Sequence, residues 1–187
     1  MNMSANDPVS FSMCHADLPL QDSWDRPFLR RALGRFATGV TVITTRDDEG
    51  RSIGLTANSF NSLSLDPALV LWSLGATQGS SAVFRSASHF AINILSAGQI
   101  ELSQRFSSPV EDRFAGVDCV QDGLAAPLIK GCAAWLICRQ RQHIHLGDHL
   151  LFIGEIEQVG AADEPPLLFH NGNYMFAHGA HPMRARA

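Results

Sequence analysis

The alternation of apolar and polar positions along this chain predicts many short strands with a few helices between them. Phe28, Leu29, Ala32, Leu33 and Phe36 recur at helical spacing and Pro27 suits a first helical turn, so a helix is expected over 27–36. Residues 40–45 then become β-branched, and the turn Asp47-Asp48-Glu49-Gly50 pairs that strand with one opening at Ile53. In the second strand Ile53, Leu55 and Ala57 share one face, Thr56 and Asn58 the other. The register fades through Ser59, Asn61, Ser62 and Ser64, a polar seam. After the turn Asp66-Pro67, residues 69–72 return as an apolar, buried strand.

Further along, the pattern predicts a short helix over 80–85 and a strand over 89–95. Ser96 and Gln99 form a capping box that starts a helix over 97–106. Residues 107–127 are a turn-rich excursion holding one helical turn over 111–114. Two long strands, 133–145 and 149–159, meet at Gly147-Asp148, and two short ones, 167–169 and 174–176, flank Asn171-Gly172. Hairpin-connected strands outnumbering helices argue for an antiparallel β-barrel, mainly β with a few packed helices. Residues 1–24 are polar and without period and read as a loose arm; 25–187 read as one domain.

Composition narrows the function classes. With 187 residues, 45% hydrophobic and 17% charged, the chain suits a globular domain with a real core. A net charge of −4 without a basic run gives no electrostatic reason to expect nucleic acid or an anionic membrane. The apolar runs are too short to span a bilayer, and the start lacks a basic region followed by an apolar core, so a cytoplasmic protein is expected. Cys14, Cys119, Cys132 and Cys138 form no Cys-x-x-Cys pair, and Cys132 and Cys138 lie on an apolar run where buried free thiols are the default. The eight histidines offer no tetrahedral spacing with them, so no metal site is expected.

The candidate chemistry lies in polar clusters beside apolar strands. The seam from Ser59 to Ser64 suits a flat polar ligand met by backbone and hydroxyl groups, or equally a bend closed by local turns. Gly79-Ser80-Ser81 at a helix start suits an anion, although Ser80 also reads as an ordinary N-cap and Arg105 as a solvated helical residue. Gly147-Asp148 forms a tight turn that leaves His149 at a strand start, as a surface residue or as a group placed to donate. His143 and His145 share a strand face and read as structural. No Gly-x-Gly-x-x-Gly opens a helix after a strand, so there is no sign of a Rossmann module.

Gly34-Arg35-Phe36-Ala37-Thr38-Gly39-Val40-Thr41-Val42-Ile43-Thr44-Thr45 and the stretch from Gly54 to Leu71 resemble the flavin reductase-like family. So do Phe90-Ala91-Ile92-Asn93-Ile94-Leu95, Gln104-Arg105-Phe106, Gly147-Asp148-His149 and Asn171-Gly172-Asn173-Tyr174; the resemblance covers residues 28–176. It implies a flavin-binding split barrel, a homodimer with flavin at the subunit boundary. It also implies hydride transfer from NADH or NADPH to FMN or FAD, with reduced flavin released to a separate monooxygenase component. By resemblance, Thr38, Val40, Thr41, Thr56, Ala57, Asn58, Ser59, Ser62 and Ser64 wrap the ring and ribityl chain. Ser80, Ser81 and Arg105 serve the phosphate, with Phe106, Gly147 and Asp148 also on the cofactor side, His149 beside the nicotinamide and Tyr174 at the rim. Relatives often carry a lysine and a further serine where this chain has Ala76 and Gln78, which leaves FMN and FAD both open. The same barrel would also suit a flavoprotein oxidase of the pyridoxamine-phosphate oxidase type, or a flavin- or haem-binding module without enzymatic activity.

Overall fold

A computed structural model describes residues 20–120 and 125–177; Cys14 and most of the expected N-terminal arm lie outside them. Helix α1 (Arg26–Leu33) opens the described chain and is followed by β1 (Thr38–Gly39), β2 (Thr41–Arg46), β3 (Ser52–Ala57), β4 (Asn61–Leu65) and β5 (Ala68–Gly75). Then come α2 (Ser81–Ser86), β6 (His89–Ile94), α3 (Ile100–Ser107), β7 (Cys119–Val120) and β8 (Leu128–Ile129). The long hairpin of β9 (Ala134–Leu146) and β10 (His149–Ala161) leads to β11 (Leu167–His170) and β12 (Asn173–Phe176). All strand pairs are antiparallel: a seven-stranded sheet in the order β3-β2-β6-β9-β10-β5-β4, a three-stranded sheet β1-β11-β12, and the pair β7-β8. The mainly β, antiparallel class with a few helices expected from the strand pattern is what forms, with three helices among the described residues.

Some elements differ from the pattern reading. Asp25 caps α1 by accepting the Phe28 N–H on Oδ1 (2.7 Å), and the helix stops at Leu33, where the Gly34 N–H donates to Arg30 O (2.9 Å). Leu33 and Phe36, which suggested a longer helix, are 66% and 77% exposed, and no residue of α1 is buried. The polar seam is strand β4, whose register against β5 slips between Ser62 and Ser64, erasing the alternation that would have marked it. The capping box acts one turn early: Ser96 N–H donates to Gln99 Oε1 (3.0 Å), and α3 begins only at Ile100. The helical turn expected over 111–114 is instead a bend closed by Asp112 Oδ1, which accepts N–H groups of Phe114 and Ala115.

Two apolar cores sit on opposite faces of β2. On one face Ile43 joins Trp72, Phe84, Phe90 and Phe152, all fully buried, with Trp72 and Phe152 stacked at 4.5 Å. On the other, Val40 and Val42 join Leu95, Phe106, Ile129 and Leu167 beneath α3. Val40 links the sheets, donating its N–H to Leu167 O (3.2 Å) and accepting the Leu95 N–H (3.0 Å). Beyond β3, the Ser59 hydroxyl both donates to Ser73 O and accepts the Ser73 N–H (2.9 Å each), tying the chain after β3 to β5.

Cys132 and Cys138 are fully buried, and burial pushes both thiols up to about 12 from an ordinary value of 9.0. The folded state therefore holds them protonated, while unfolded thiols ionise near 9.0, so raising the pH above that value favours the unfolded chain. At pH about 8 neither thiol is expected to react with an aromatic disulfide until denaturant is added. Stoichiometric labelling of either one in the folded protein would contradict the burial.

Candidate functional site

Alternate residues of β3 build the site. Leu55 and Ala57 point into the aromatic core, so Ser52, Gly54 and Thr56 take the opposite face, under α3. Thr56 Oγ1 donates to Ser103 O (2.7 Å), and the Ser103 hydroxyl meets the Tyr174 hydroxyl at 2.9 Å. Val40, Thr56, Asn58, Ser103, Ser107, Phe169 and Tyr174 line a cavity of about 200 Å³. Ser107 also lines a larger one of about 490 Å³, walled by Ser52 and Gly54 of β3, by Gln78-Gly79-Ser80 before α2, and by residues 109–114. The two cavities share Ser107, and each takes part of its wall from β3.

Close packing shapes the larger cavity. Gly54 is bare because a Cβ there would lie 2.7 Å from Phe106 Cε1 and 3.2 Å from Phe114 Cζ. The carbonyl of Gly54 accepts Arg113 Nη1 (3.0 Å), while Arg113 Nε and Nη2 both donate to Ser108 O (3.2 and 3.0 Å). One guanidinium thus clamps the 108–114 segment to β3. Sequence reasoning missed Ser103 and Arg113: one reads as an ordinary helical serine, the other as part of a turn. A carbonyl-clamping arginine carries no signature at its own position.

The expected site residues divide into groups. Val40, Thr56, Asn58 and Tyr174 share the smaller cavity, and Ser80 lines the larger one. Thr41 and Ala57 are buried, and Thr41 Oγ1 donates to Ala57 O (2.7 Å). Phe106 is buried within the second core. The Ser59 hydroxyl is engaged with Ser73, and Ser62 and Ser64 lie on β4 at the sheet edge. Helix α2 has only six residues, and the N–H of Ser81 already donates to Gln78 O (2.9 Å). Arg105 lines a separate cavity of about 340 Å³ with Glu101, Asp118 and Lys130, not the one holding Ser80.

Gly147 (φ 58°) and Asp148 make the tight turn of the β9–β10 hairpin, held against the loop before α2 by the Ala76 N–H donating to Asp148 O (2.9 Å). His149 Nδ1 lies 2.7 Å from Asp148 Oδ1, and that hydrogen bond holds the Asp148 carboxyl below its usual range. An ionised carboxylate only accepts, so His149 Nδ1 is the donor in this hydrogen bond. The His149 side chain is 52% exposed and lines none of these cavities.

The fold and the groove together define a small antiparallel domain with a hydroxyl-lined cleft between a strand and a helix. Residues 33–178 match the family described as flavin reductase like domain, and the chain belongs to that family. Among its relatives is the reductase component of the flavin-dependent trigonelline monooxygenase of Acinetobacter baylyi, 45% identical over 146 residues that cover 78% of this chain and 47% of that protein. The chain thus spans about half the length of that relative. FMN reductase (NADH) SmoA of Agrobacterium fabrum is 42% identical over 145 residues, covering 78% of this chain and 82% of that protein. Among solved structures, the Streptomyces globisporus NADH:FAD oxidoreductase SgcE6 in complex with NAD and FAD fragments superposes with a TM-score of 0.78. It is 37% identical, covering 84% of this chain and 96% of that one.

Proposed function

We propose that this chain is an NAD(P)H-dependent flavin reductase that binds FMN or FAD in the groove along β3 and releases the reduced flavin to a separate oxygenase component. Two cavities along β3 support this reading: Thr56, Asn58 and Ser103 line one together with the apolar Val40 and Phe169, and Ser80 lines the other. Family membership and the names of the relatives support it.

The donor set fits a flavin. Among the described residues Thr38 Oγ1 is buried without a partner, and Thr38 pairs across the strands with Phe169, which lines the smaller cavity. Cross-strand neighbours share a face, which supports a place for that hydroxyl on the groove side. When bound, the flavin supplies the hydride-accepting chemistry. Asn58 and the backbone beside it would orient the ring edge, Val40 and Phe169 would cover a ring face, and Ser80 would meet the phosphate. Nothing further is asked of the protein by way of strong acid or base.

The same reading makes the protein a homodimeric split barrel with the groove near the subunit boundary. Trp24, Leu33 and Phe36 expose large apolar surfaces around α1, as does Leu65 on edge strand β4. After His149, the charge of Arg26 on α1 adds a minor lowering of the Asp148 carboxyl, which supports α1 and the hairpin turn facing the same side. A second copy seated on α1 would bring His149 to the boundary, where Nε2 can meet a nicotinamide carboxamide.

Purified protein mixed with NADH and excess FMN is expected to consume NADH only when flavin is present; its failure to do so would favour a binding module. His149→Ala is expected to lower kcat/KM for NADH about tenfold, roughly 1.4 kcal/mol, with flavin affinity unchanged. Equal loss of both would make the histidine structural.

A further inference from the structure

His143 and His145 of β9 pair across the hairpin with Phe152 and Leu150, so both imidazoles lie on the face that α2 covers. With Arg85 from the last turn of α2, and with Ala76 and Leu150, they line a cavity of about 370 Å³ that shares no residue with the groove along β3. Gln140 Nε2 donates to Arg85 O (3.3 Å), fixing the end of α2 to β9. The lining holds three basic side chains and no carboxylate. Elsewhere on the hairpin the arginines are matched, Arg139 to Glu155 and Glu157 and Arg141 to Glu155, whereas Arg85 enters no ion pair among the described residues.

We propose that this cavity is a subsite for a phosphate monoester, held by the Arg85 guanidinium with His143 and His145 as further donors. A guanidinium fork matches two phosphate oxygens at once, and imidazole N–H groups supply donors from a second direction. Leu150 and Ala76 supply the apolar part of the lining. The volume is in the range of small-ligand clefts, enough for a phosphate and the sugar carbons that carry it. Only the identity of the molecule bringing the phosphate rests on the reductase reading. The chemistry is shared by the 2′-phosphate of NADPH and free phosphate.

The first test titrates the full chain with inorganic phosphate while following the imidazole resonances by NMR, assigned with His143→Gln and His145→Gln. Saturable shifts of both rings are expected, with affinity weakened about tenfold in Arg85→Gln and less in Arg85→Lys, which keeps the charge but loses the fork. Absence of saturable shifts, or unchanged affinity in Arg85→Gln, would overturn the proposal. The second test identifies the source from steady-state kinetics of the same variants. A raised KM for NADPH but not NADH assigns the subsite to the 2′-phosphate. Phosphate binding without that change leaves free phosphate as the ligand. Should the protein fail to oxidise either nicotinamide, the reductase reading falls, while the phosphate titration still decides the subsite.

Discussion

Asn93→Ala is expected to destabilise the protein by about 3 kcal/mol, read as a lowered denaturant midpoint with little change in slope. Asn93 is fully buried on β6, and its amide serves three partners. Nδ2 donates to Val42 O (3.0 Å) and to Thr44 Oγ1 (3.2 Å), and Oδ1 accepts the Ile129 N–H (2.8 Å). Thr44 Oγ1 in turn donates to Pro127 O (2.6 Å), so one side chain joins β2, β6 and the segment entering β8. Alanine leaves the Ile129 N–H buried without an acceptor, a loss of about 1–3 kcal/mol, and adds a cavity. Asn93→Asp separates the two contributions: it keeps the acceptor for Ile129 but turns a second oxygen towards Val42 O. If Asn93→Ala lost less than about 1 kcal/mol, water would have to be filling the gap.

The same residue shows what a sequence can and cannot disclose. Phe90 to Leu95 reads as a strand from its apolar run, and the long β9–β10 hairpin is announced by two strand patterns around Gly147-Asp148. Asn93 within that run gives no sign that it connects to Ile129, because its partners lie 36 to 51 residues away. Arg113 and Ser103 were hidden for the same reason, each defined by a partner on β3. Leu33 and Phe36 misled in a different way. Helical periodicity reports a face that needs cover, not whether the same chain supplies it, and here those side chains remain exposed. The β4 edge escaped because a bulge breaks the period-two signal in a strand covered on neither side. Family motifs brought Val40, Thr56, Asn58 and Tyr174 together, since shared motif order carries spatial information that periodicity lacks.

Gly54→Ala is expected to damage both fold and groove, and Gly154→Ala the fold alone. At Gly154 a Cβ would lie 2.4 Å from Phe90 Cζ and 3.0 Å from Cys138 Cβ, inside the aromatic core, with no flexible neighbour to yield. Overpacking of that kind destabilises by about 1–3 kcal/mol. At Gly54 the clash is with Phe106, fully buried and edge-on to Phe114 at 5.0 Å. Phe106 has no room to retreat, so relief comes from Phe114, which sits in the wall of the larger cavity beside Arg113. Moving that wall pulls Arg113 away from the Gly54 carbonyl and opens the 109–114 segment. Thermal unfolding should fall in both variants, whereas flavin KM should rise, by about tenfold or roughly 1.4 kcal/mol, only in Gly54→Ala. Measured on the folded fraction, an unchanged flavin KM in Gly54→Ala would move the flavin out of this groove, whatever the loss of stability. A matching rise in Gly154→Ala would show instead that any loosening of the sheet weakens flavin binding, leaving the β3 groove no special claim to it.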